Sequence, residues 1–181
     1  MPETSTCRLG DALHRHGLAC PDDPCVSGFL QFLASADEVF ERSHPPGHFT
    51  GSAWLVSADG ERVLLTHHRK LGRWLQLGGH AEGDRDLARV ALREAEEESG
   101  LGNLVVEPEI FDLDRHLIPA RGEVPAHWHF DVRYVVRATG SEAFAVSEES
   151  LDLAWRSIRT IAQDPQADAS LRRMAQRWLA R

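Results

Sequence analysis

A pair of glycines followed by a short helical segment rich in carboxylates constrains this chain more than any other feature. The glycines occupy positions 78–79, and Gly100 follows the segment, where a left-handed C-terminal cap is usual. Read as a helix, the segment places Glu94, Glu97 and Glu98 at i, i+3 and i+4, so they share one face. Such like charges repel one another, and a divalent cation resolves the conflict because Mg²⁺ takes carboxylate oxygens. The pattern therefore predicts a metal-binding helix.

The remaining residues of the segment are typical of a short helix that packs on one side. Asp84 and Asp86 lie in or just before its first turn, where negative charge suits the positive end of the helix dipole. Glu96 is interpreted as an ordinary solvated residue. A narrow apolar stripe recurs at helical spacing, formed by Leu87, Ala88, Ala91, Leu92 and Ala95. We therefore expect the helix to be a rigid platform for the metal.

This segment resembles the Nudix box of the Nudix hydrolases. The box reads Gly, five residues, Glu, seven residues, then Arg-Glu-apolar-any-Glu-Glu-any-Gly-apolar. Gly79 begins the match here, and residues 93–101 (Arg-Glu-Ala-Glu-Glu-Glu-Ser-Gly-Leu) complete it at the correct spacing. Two positions depart from the pattern, since Arg85 replaces the early Glu and Leu77 stands where many members have proline. So long a pattern is far more specific than a lone glycine-rich loop.

The resemblance implies a fold and an activity. The fold is an α/β/α sandwich with a mixed β-sheet. The activity is metal-dependent hydrolysis of the diphosphate link in a nucleoside diphosphate joined to another group X, as in nucleotide sugars and nucleoside triphosphates. The implied cofactor is Mg²⁺, with Mn²⁺ as an alternative, and the implied partner is a small-molecule nucleotide. The group X is not encoded in any motif of this chain.

The resemblance also assigns roles to residues of the box. Glu97 and Glu98 are expected to bind the metal, while Glu94 would be either a ligand or the general base. Arg93 would hold a box carboxylate in position through charge-assisted bonds. The backbone carbonyl of Gly78 or of its neighbour would complete the coordination. Many relatives take the base from a carboxylate outside the box, for which the candidates here are Glu148 and Glu149.

Turn signals divide the chain into an N-terminal helical extension, residues 1–44, and a Nudix hydrolase domain, residues 45–181. In the extension, which is expected to pack on the core, a short helix is predicted around residues 11–16. A second helix begins after Asp23-Pro24, a cap followed by proline, and continues to about Ser43. Pro45-Pro46-Gly47 ends that helix and marks the entry to the domain.

Alternating and apolar runs predict the strands of the domain. Residues 52–57 and 62–66 form a predicted hairpin around the turn at 58–61. Two longer strands are predicted at 104–116 and 127–138, a last short strand at 153–157, and a C-terminal helix around residues 171–179. Strand groups separated and flanked by helices favour a mixed sheet between helices, which agrees with the fold that the resemblance implies.

Two further groups of residues are candidates for substrate binding. The loop before the paired glycines is basic, and either Arg73 or Lys70 could offset phosphate charge, although an ordinary polar surface loop is an equal alternative. Trp74 is interpreted as a packing residue. In the long strand pair, alternation collects polar side chains on one face and predicts that His129 and Asp131 line the substrate pocket or hold a second cation. That face comprises Asp112, Asp114, His116, His127, His129, Asp131 and Arg133. The alternative, which alternation also allows, is that this face simply meets solvent while the apolar face forms the core.

Composition excludes several other classes of protein. The 181 residues suit one compact domain, and a net charge of −8 argues against a surface for duplex nucleic acid. No apolar run is long enough to span a bilayer, and residues 1–6 lack the features of a signal peptide. Cys7, Cys20 and Cys25 are interpreted as reduced thiols of a cytoplasmic protein. The sequence leaves the assembly open, with a homodimer as one option.

Two rival functions come from the same fold. The first is a non-catalytic ligand sensor, which the Arg85 departure encourages; against it, Asp84 or Asp86 could replace the missing Glu. The second is an isomerase of prenyl diphosphates, which needs a cysteine and a glutamate beside an apolar slot. No cysteine lies beyond residue 25, so the hydrolase remains the favoured interpretation.

Overall fold

A mixed sheet of seven strands carries the fold of this protein, for which a computed structural model describes residues 5–69, 72–146 and 150–181. The strands are β1 Gly47–Val56, β2 Arg62–His68, β3 Arg73–Leu75, β4 Leu77–His80, β5 Leu104–Ile118, β6 His127–Ala138 and β7 Ser150–Ser157. The helices are α1 Ser5–Ala19, α2 Val26–Leu33, α3 Leu87–Ser99, α4 Ile158–Gln163 and α5 Ala169–Leu179, with a short 3-10 helix at Asp37–Phe40.

The strand order makes β1 the centre of the sheet. The main path runs β3-β2-β1-β6-β5, while β4 also pairs with β1 and β7 pairs with β2. β1 and β6 are parallel, and the other pairs are antiparallel. Every residue of β1 is buried, as expected for a strand covered on both faces. The α/β/α sandwich with a mixed sheet is therefore confirmed.

The two faces of the sheet bury separate apolar clusters. On β1, Phe49, Ala53 and Leu55 belong to the larger cluster, to which α1, α2 and α3 contribute. Trp54 and Val56 point the other way and pack with residues of α4 and α5. This two-residue alternation follows from strand geometry. On the same side of the sheet as Trp54, the N-terminal half of β1 carries polar residues, and these belong to the site described below.

The predicted box helix, α3, begins and ends at the expected signals. The Asp86 side chain accepts a hydrogen bond from the Arg89 backbone N–H, so it caps the N-terminus. Gly100 closes the C-terminus with a φ of 67°, a left-handed conformation that favours glycine. Helix α3 packs closely on the sheet, since a Cβ at Gly51 of β1 would crowd the side chain of Val90 and the backbone carbonyl of Leu87.

The N-terminal extension differs from its prediction in detail. α1 is longer than the helix expected at 11–16, and the helix expected to reach Ser43 ends at Leu33. The apolar spacing beyond that point belongs to the 3-10 helix, which buries Val39 and stacks the Phe40 ring on Phe49 at 5.1 Å between centroids. Residues of α1 and α2 enter the same core as the sheet, whereas the boundary at 44/45 stays a prediction. None of the described helices has the length and apolar character needed to cross a membrane.

Candidate active site

Strand β4 brings the two box glycines against the carboxylates of α3. The backbone N–H of Gly78 donates a hydrogen bond to Glu98 Oε1 at 2.8 Å. Gly79 lies so close to Glu94 that an added Cβ would overlap the Glu94 carboxylate. The paired glycines therefore let the strand backbone approach two of the three predicted metal ligands, and a side chain at 79 would push Glu94 away.

Arg93 ties the helix to the same strand. Its Nη2 donates to Glu94 Oε1 at 2.8 Å and to the backbone carbonyl of His80 at 3.1 Å. The hydrogen bond to Glu94 raises the pKa of the guanidinium above its usual value. This is the contact with a box carboxylate that the sequence predicted for Arg93. Its part in catalysis stays a prediction.

The donor set of this cluster fits a hard divalent cation. Glu94, Glu97 and Glu98 offer carboxylate oxygens from one turn of α3, and such oxygens suit Mg²⁺ or Mn²⁺. Glu97 is exposed, so its carboxylate is accessible from solvent, while the contacts above hold the other two beside β4. The backbone carbonyl of Gly78 as a further ligand stays a prediction.

Arg85, the departure from the box pattern, reaches the N-terminal segment. Its Nη2 donates to the backbone carbonyl of Asp37 at 3.2 Å and lies 3.6 Å from the Asp37 carboxylate. Its guanidinium also lies over the Phe40 ring, 5.4 Å from the centroid. These contacts give Arg85 a structural task in docking the 3-10 helix.

The two acidic residues considered as substitutes for the missing Glu are engaged locally. Asp84 accepts two hydrogen bonds from Arg89, at 2.6 and 2.8 Å, and these bonds lower the pKa of Asp84 below its usual value. Asp84 also contributes to the raised pKa of Arg93, so its charge acts on the box. Asp86 is the cap of α3. Both residues thus order the loop that precedes the helix.

The polar face of the long strands exists as the alternation predicted. β5 and β6 are antiparallel, and their register places His116 opposite His129, Asp114 opposite Asp131, and Asp112 opposite Arg133. β1 adds polar side chains to this face that the sequence reading missed. They are His48, Thr50 and Ser52, and their alternation in β1 was the signal that could have identified them.

Asp131 and Arg133 form the centre of a buried ion network on this face. Arg133 donates to Asp131 at 2.7 Å, to Asp114 at 3.0 Å and to Asp112 at 3.2 Å. Burial would raise the pKa of Asp131, but the Arg133 guanidinium and the Ser52 hydroxyl outweigh it and lower that pKa. The negative neighbours likewise raise the pKa of Arg133 despite its burial. Both groups are therefore charged at neutral pH.

The network continues to the strand that carries the glycines. Thr50 and Ser52 donate to Asp131 Oδ1 at 2.9 and 2.7 Å, and the Gln76 amide donates to Oδ2 at 3.4 Å. Ser52 pairs with Gly78 in the β1–β4 register, and a Cβ at Gly78 would overlap its hydroxyl. Gly78 thus separates the box carboxylate of Glu98 from the polar face, and substrate binding by Asp131 stays a prediction.

Arg73 and Trp74, which lie in the described part of the chain, make their contacts away from this cluster. Arg73 is exposed on β3 and pairs with Asp168, the cap of α5, at 3.2 Å. Trp74 packs on the ring of His67, at 5.2 Å between centroids, which agrees with its interpretation as a packing residue. Lys70 lies outside the described residues, as do the candidate bases Glu148 and Glu149.

The model of the NUDIX domain family matches residues 48–178, which is well over half of the chain. The chain belongs to the Nudix family. Membership confirms the resemblance of the box and the enzyme class that it implies, a Nudix pyrophosphohydrolase. The matched region contains the box and the polar face, and it leaves α1, α2 and the 3-10 helix outside.

Solved Nudix structures share the fold at low sequence identity. A Caenorhabditis elegans Ap4A hydrolase in a binary complex has a TM-score of 0.57 and 14% identity, covering 73% of this chain and 95% of that one. A MutT protein from Methanosarcina mazei Go1 has a TM-score of 0.57 and 20% identity, covering 73% and 92%. An Escherichia coli dihydroneopterin triphosphate pyrophosphohydrolase has a TM-score of 0.55 and 15% identity, covering 73% and 94%. No curated protein sequence matches this Nudix chain.

Proposed function

We propose that this protein is a Mg²⁺- or Mn²⁺-dependent hydrolase that cleaves the diphosphate link of a nucleoside diphosphate joined to a group X. The observation that carries the proposal is the seating of the box carboxylates, with Glu98 bonded to the Gly78 amide and Glu94 packed on Gly79. The Ap4A and dihydroneopterin triphosphate hydrolases, which share the fold, carry substrates of the same phosphoanhydride class in their names.

The residues of the box have distinct tasks in this proposal. Glu97 and Glu98 hold the cation, and Glu94 either joins them or accepts the proton of the attacking water. A divalent cation bound there supplies electrostatic stabilisation of the charge on the diphosphate oxygens. Arg93 fixes the Glu94 carboxylate and the His80 carbonyl, so it orients the helix relative to β4. Hydrolysis adds water across one phosphorus–oxygen bond and releases two phosphorylated products.

The substrate side of the site rests on fewer contacts. We propose that the strand face of His129 and Asp131 borders the substrate pocket, because Ser52, which donates to Asp131, pairs with Gly78 in the register. Asp131 would act there by holding Arg133 and Ser52 in place. Arg73 is proposed as a phosphate-binding residue, which requires it to exchange Asp168 for substrate. The net charge of −8 favours a small nucleotide over duplex nucleic acid. Cys20 and Cys25 are free thiols, which supports the proposed cytoplasmic location.

The contacts of Arg85 support the hydrolase over the sensor alternative. That alternative was encouraged by Arg85, yet Arg85 contacts Asp37 and Phe40 of the N-terminal segment. The substitution is therefore explained by docking of that segment. The remaining box residues, Arg93, Glu94, Glu97 and Glu98, are present.

The test is a substrate screen of the full chain with a panel of nucleoside diphosphate derivatives. Reactions with Mg²⁺, with Mn²⁺ and with a chelator would be followed by release of phosphatase-sensitive products. Glu98→Gln keeps the shape but removes the charge, and it should lower kcat/KM by about 100-fold or more. Glu96→Gln, on the exposed side of the same helix, is the matched control and should match wild type. Equal turnover of wild type and Glu98→Gln at saturating Mg²⁺ would overturn the assignment.

A further inference from the structure

Three histidines from adjacent strands meet on the polar face of the sheet. His48 lies in β1, His129 is its partner in β6, and His80 ends β4 two positions along the register. The ring centroids are 4.7 Å apart for His48 and His129, 5.0 Å for His48 and His80, and 5.2 Å for His80 and His129. One nitrogen from each ring lies within 4.8 Å of the other two. The strands themselves, through their register, impose this arrangement.

Buried ring nitrogens without hydrogen-bond partners destabilise the folded state unless a ligand binds the histidine cluster. His48 is 1% exposed, and neither of its ring nitrogens has a hydrogen-bond partner among the described residues. The Nε2 atom of His129 is also buried without such a partner. An unsatisfied buried polar group destabilises the folded state, so a native structure is expected to supply a partner. The unpaired nitrogens of His48 and His129, with one nitrogen of His80 within 4.8 Å of each ring's candidate ligand atom, indicate a ligand between the three rings.

The chemistry of the cluster selects the kind of ligand. Burial, reinforced by the neighbouring histidines, lowers the pKa of His48 to about 4 and that of His129 to about 3. Both rings are therefore neutral at pH 7, and each has a lone pair to donate, as metal binding requires. Imidazole nitrogens suit Zn²⁺ and related transition metals, whereas the box carboxylates suit hard cations. The two sets of donors would thus select different metals.

We propose that His48, His80 and His129 form a three-histidine site for a transition-metal ion such as Zn²⁺, separate from the carboxylate site of the Nudix box. Three nitrogens around one Zn²⁺ lie about 3.3 Å apart, given zinc–nitrogen bonds of about 2.0–2.1 Å. The candidate ligand atoms now lie within 4.8 Å of one another, so binding would draw the rings closer together. The bound ion would link β1, β4 and β6 next to the backbone carbonyl of His80, which accepts the hydrogen bond from Arg93.

Metal binding by the full chain tests the proposal directly. The protein, freed of metal by a chelator and kept in excess Mg²⁺, would be titrated with Co²⁺ and followed by its visible absorption. One equivalent should bind and give the d–d bands of a four- or five-coordinate nitrogen site, and Zn²⁺ should abolish them. Competition with a chromophoric chelator then measures the Zn²⁺ affinity. Charge-transfer bands typical of thiolate ligands would assign the ion to cysteines and overturn the proposal.

Variants identify the ligands and separate this site from the box. His80→Gln and His129→Gln, which retain polar bulk, should each weaken Zn²⁺ binding at least tenfold and remove the rise in Tm that Zn²⁺ gives wild type. His67→Gln is the control, because His67 lies in β2 and stacks on Trp74. Glu98→Gln should leave the Co²⁺ spectrum unchanged even if it abolishes hydrolysis. Failure to bind one equivalent, or equal Zn²⁺ affinity in wild type and both ligand variants, would overturn the proposal.

Discussion

The backbone N–H of Gly78 donates to Glu98 Oε1 across 2.8 Å, which joins the strand of the paired glycines to the last turn of the box helix. The residues are twenty positions apart in the sequence, so this bond fixes how α3 lies on the sheet. Gly79 and Glu94 make the neighbouring contact, and Arg93 adds a third through the His80 carbonyl. The spacing of the box thus has a physical meaning, since it sets three contacts between one strand and one helix.

Replacing Gly79 by alanine should impair catalysis more than folding. The new methyl group would displace the Glu94 carboxylate, and a misplacement of about 1 Å in a catalytic group lowers the rate by about 100-fold. Steady-state kinetics on the best substrate of the screen, with the urea midpoint measured in parallel, would check this. Gly28→Ala is the control, because a Cβ at Gly28 in α2 meets no atom within 4 Å. Equal rates for the two variants would contradict the role given to Gly79.

Replacing Arg85 by glutamate should weaken the docking of the N-terminal segment. It should modify the activity that the wild type already has and not create an activity that was absent. The change removes the stacking on Phe40 and places two carboxylates together at Asp37, so the free energy of unfolding should fall by about 1 kcal/mol. The rate or the preference between Mg²⁺ and Mn²⁺ should change modestly. Arg85→Ala separates the lost contacts from the added repulsion. If the wild-type protein hydrolysed none of the substrates and the Arg85→Glu variant did, the result would favour the sensor function.

The sequence predicted the box helix well because its signals are local. The Asp86 cap, the apolar stripe and the glycine after Ser99 all act within a few residues, and α3 has the expected bounds. The target of Arg85 was not predictable in this way, since Asp37 is 48 positions away. The apolar periodicity through Phe40 suggested one continuous helix, but core packing of its ring is satisfied equally well by a 3-10 turn.

The polar face shows a second limit of sequence reading. Alternation in β6 correctly grouped His129, Asp131 and Arg133, because side chains two apart share a face. It could not show that β1 lies parallel to β6 and brings His48 and Ser52 beside them. Strand neighbours are a tertiary property, so the histidine cluster and the partners of Asp131 appear only in the folded chain.

The ion pair between Asp84 and Arg89 should stabilise the folded protein at neutral pH and lose this effect in strong acid. Its hydrogen bonds lower the pKa of Asp84 in the folded state, so the unfolded chain takes up the proton first as the pH falls. The stabilisation is complete above the unfolded pKa of about 3.9 and is lost as the pH falls through the folded value. Because Arg89 is largely exposed, Asp84→Asn should cost about 1 kcal/mol at pH 7.

Urea unfolding of wild type and Asp84→Asn at pH 7, 5, 4 and 3 would measure this dependence. The difference between the two proteins should be constant from pH 7 to 5 and should shrink below pH 4. Glu96→Gln, which changes an exposed carboxylate on the same helix, should show no such trend. A difference that grows towards acid pH would contradict the assignment of the lowered pKa to this pair.

Replacing Asp131 by asparagine should destabilise the fold strongly. The change removes one charge from a buried ion network, and Arg133 then keeps its charge with fewer partners. Breaking a buried pair in this way costs about 3–5 kcal/mol, and we expect the lower end because Asp112 and Asp114 remain. The free energy of unfolding in urea at pH 7 is the quantity to measure. Asp114→Asn is the matched control, since its side chain is 22% exposed and water can replace its contact.

The comparison of these two variants separates structure from substrate binding at Asp131. If the carboxylate mainly holds Arg133, Asp131→Asn loses clearly more stability than Asp114→Asn, and kinetics must be measured below its unfolding transition. If the carboxylate mainly contacts substrate, both variants are similarly stable and only Asp131→Asn raises KM. The contacts from Arg133, Thr50 and Ser52 lead us to expect the first result. Equal stability losses in the two variants would refute the central place of Asp131 in the network.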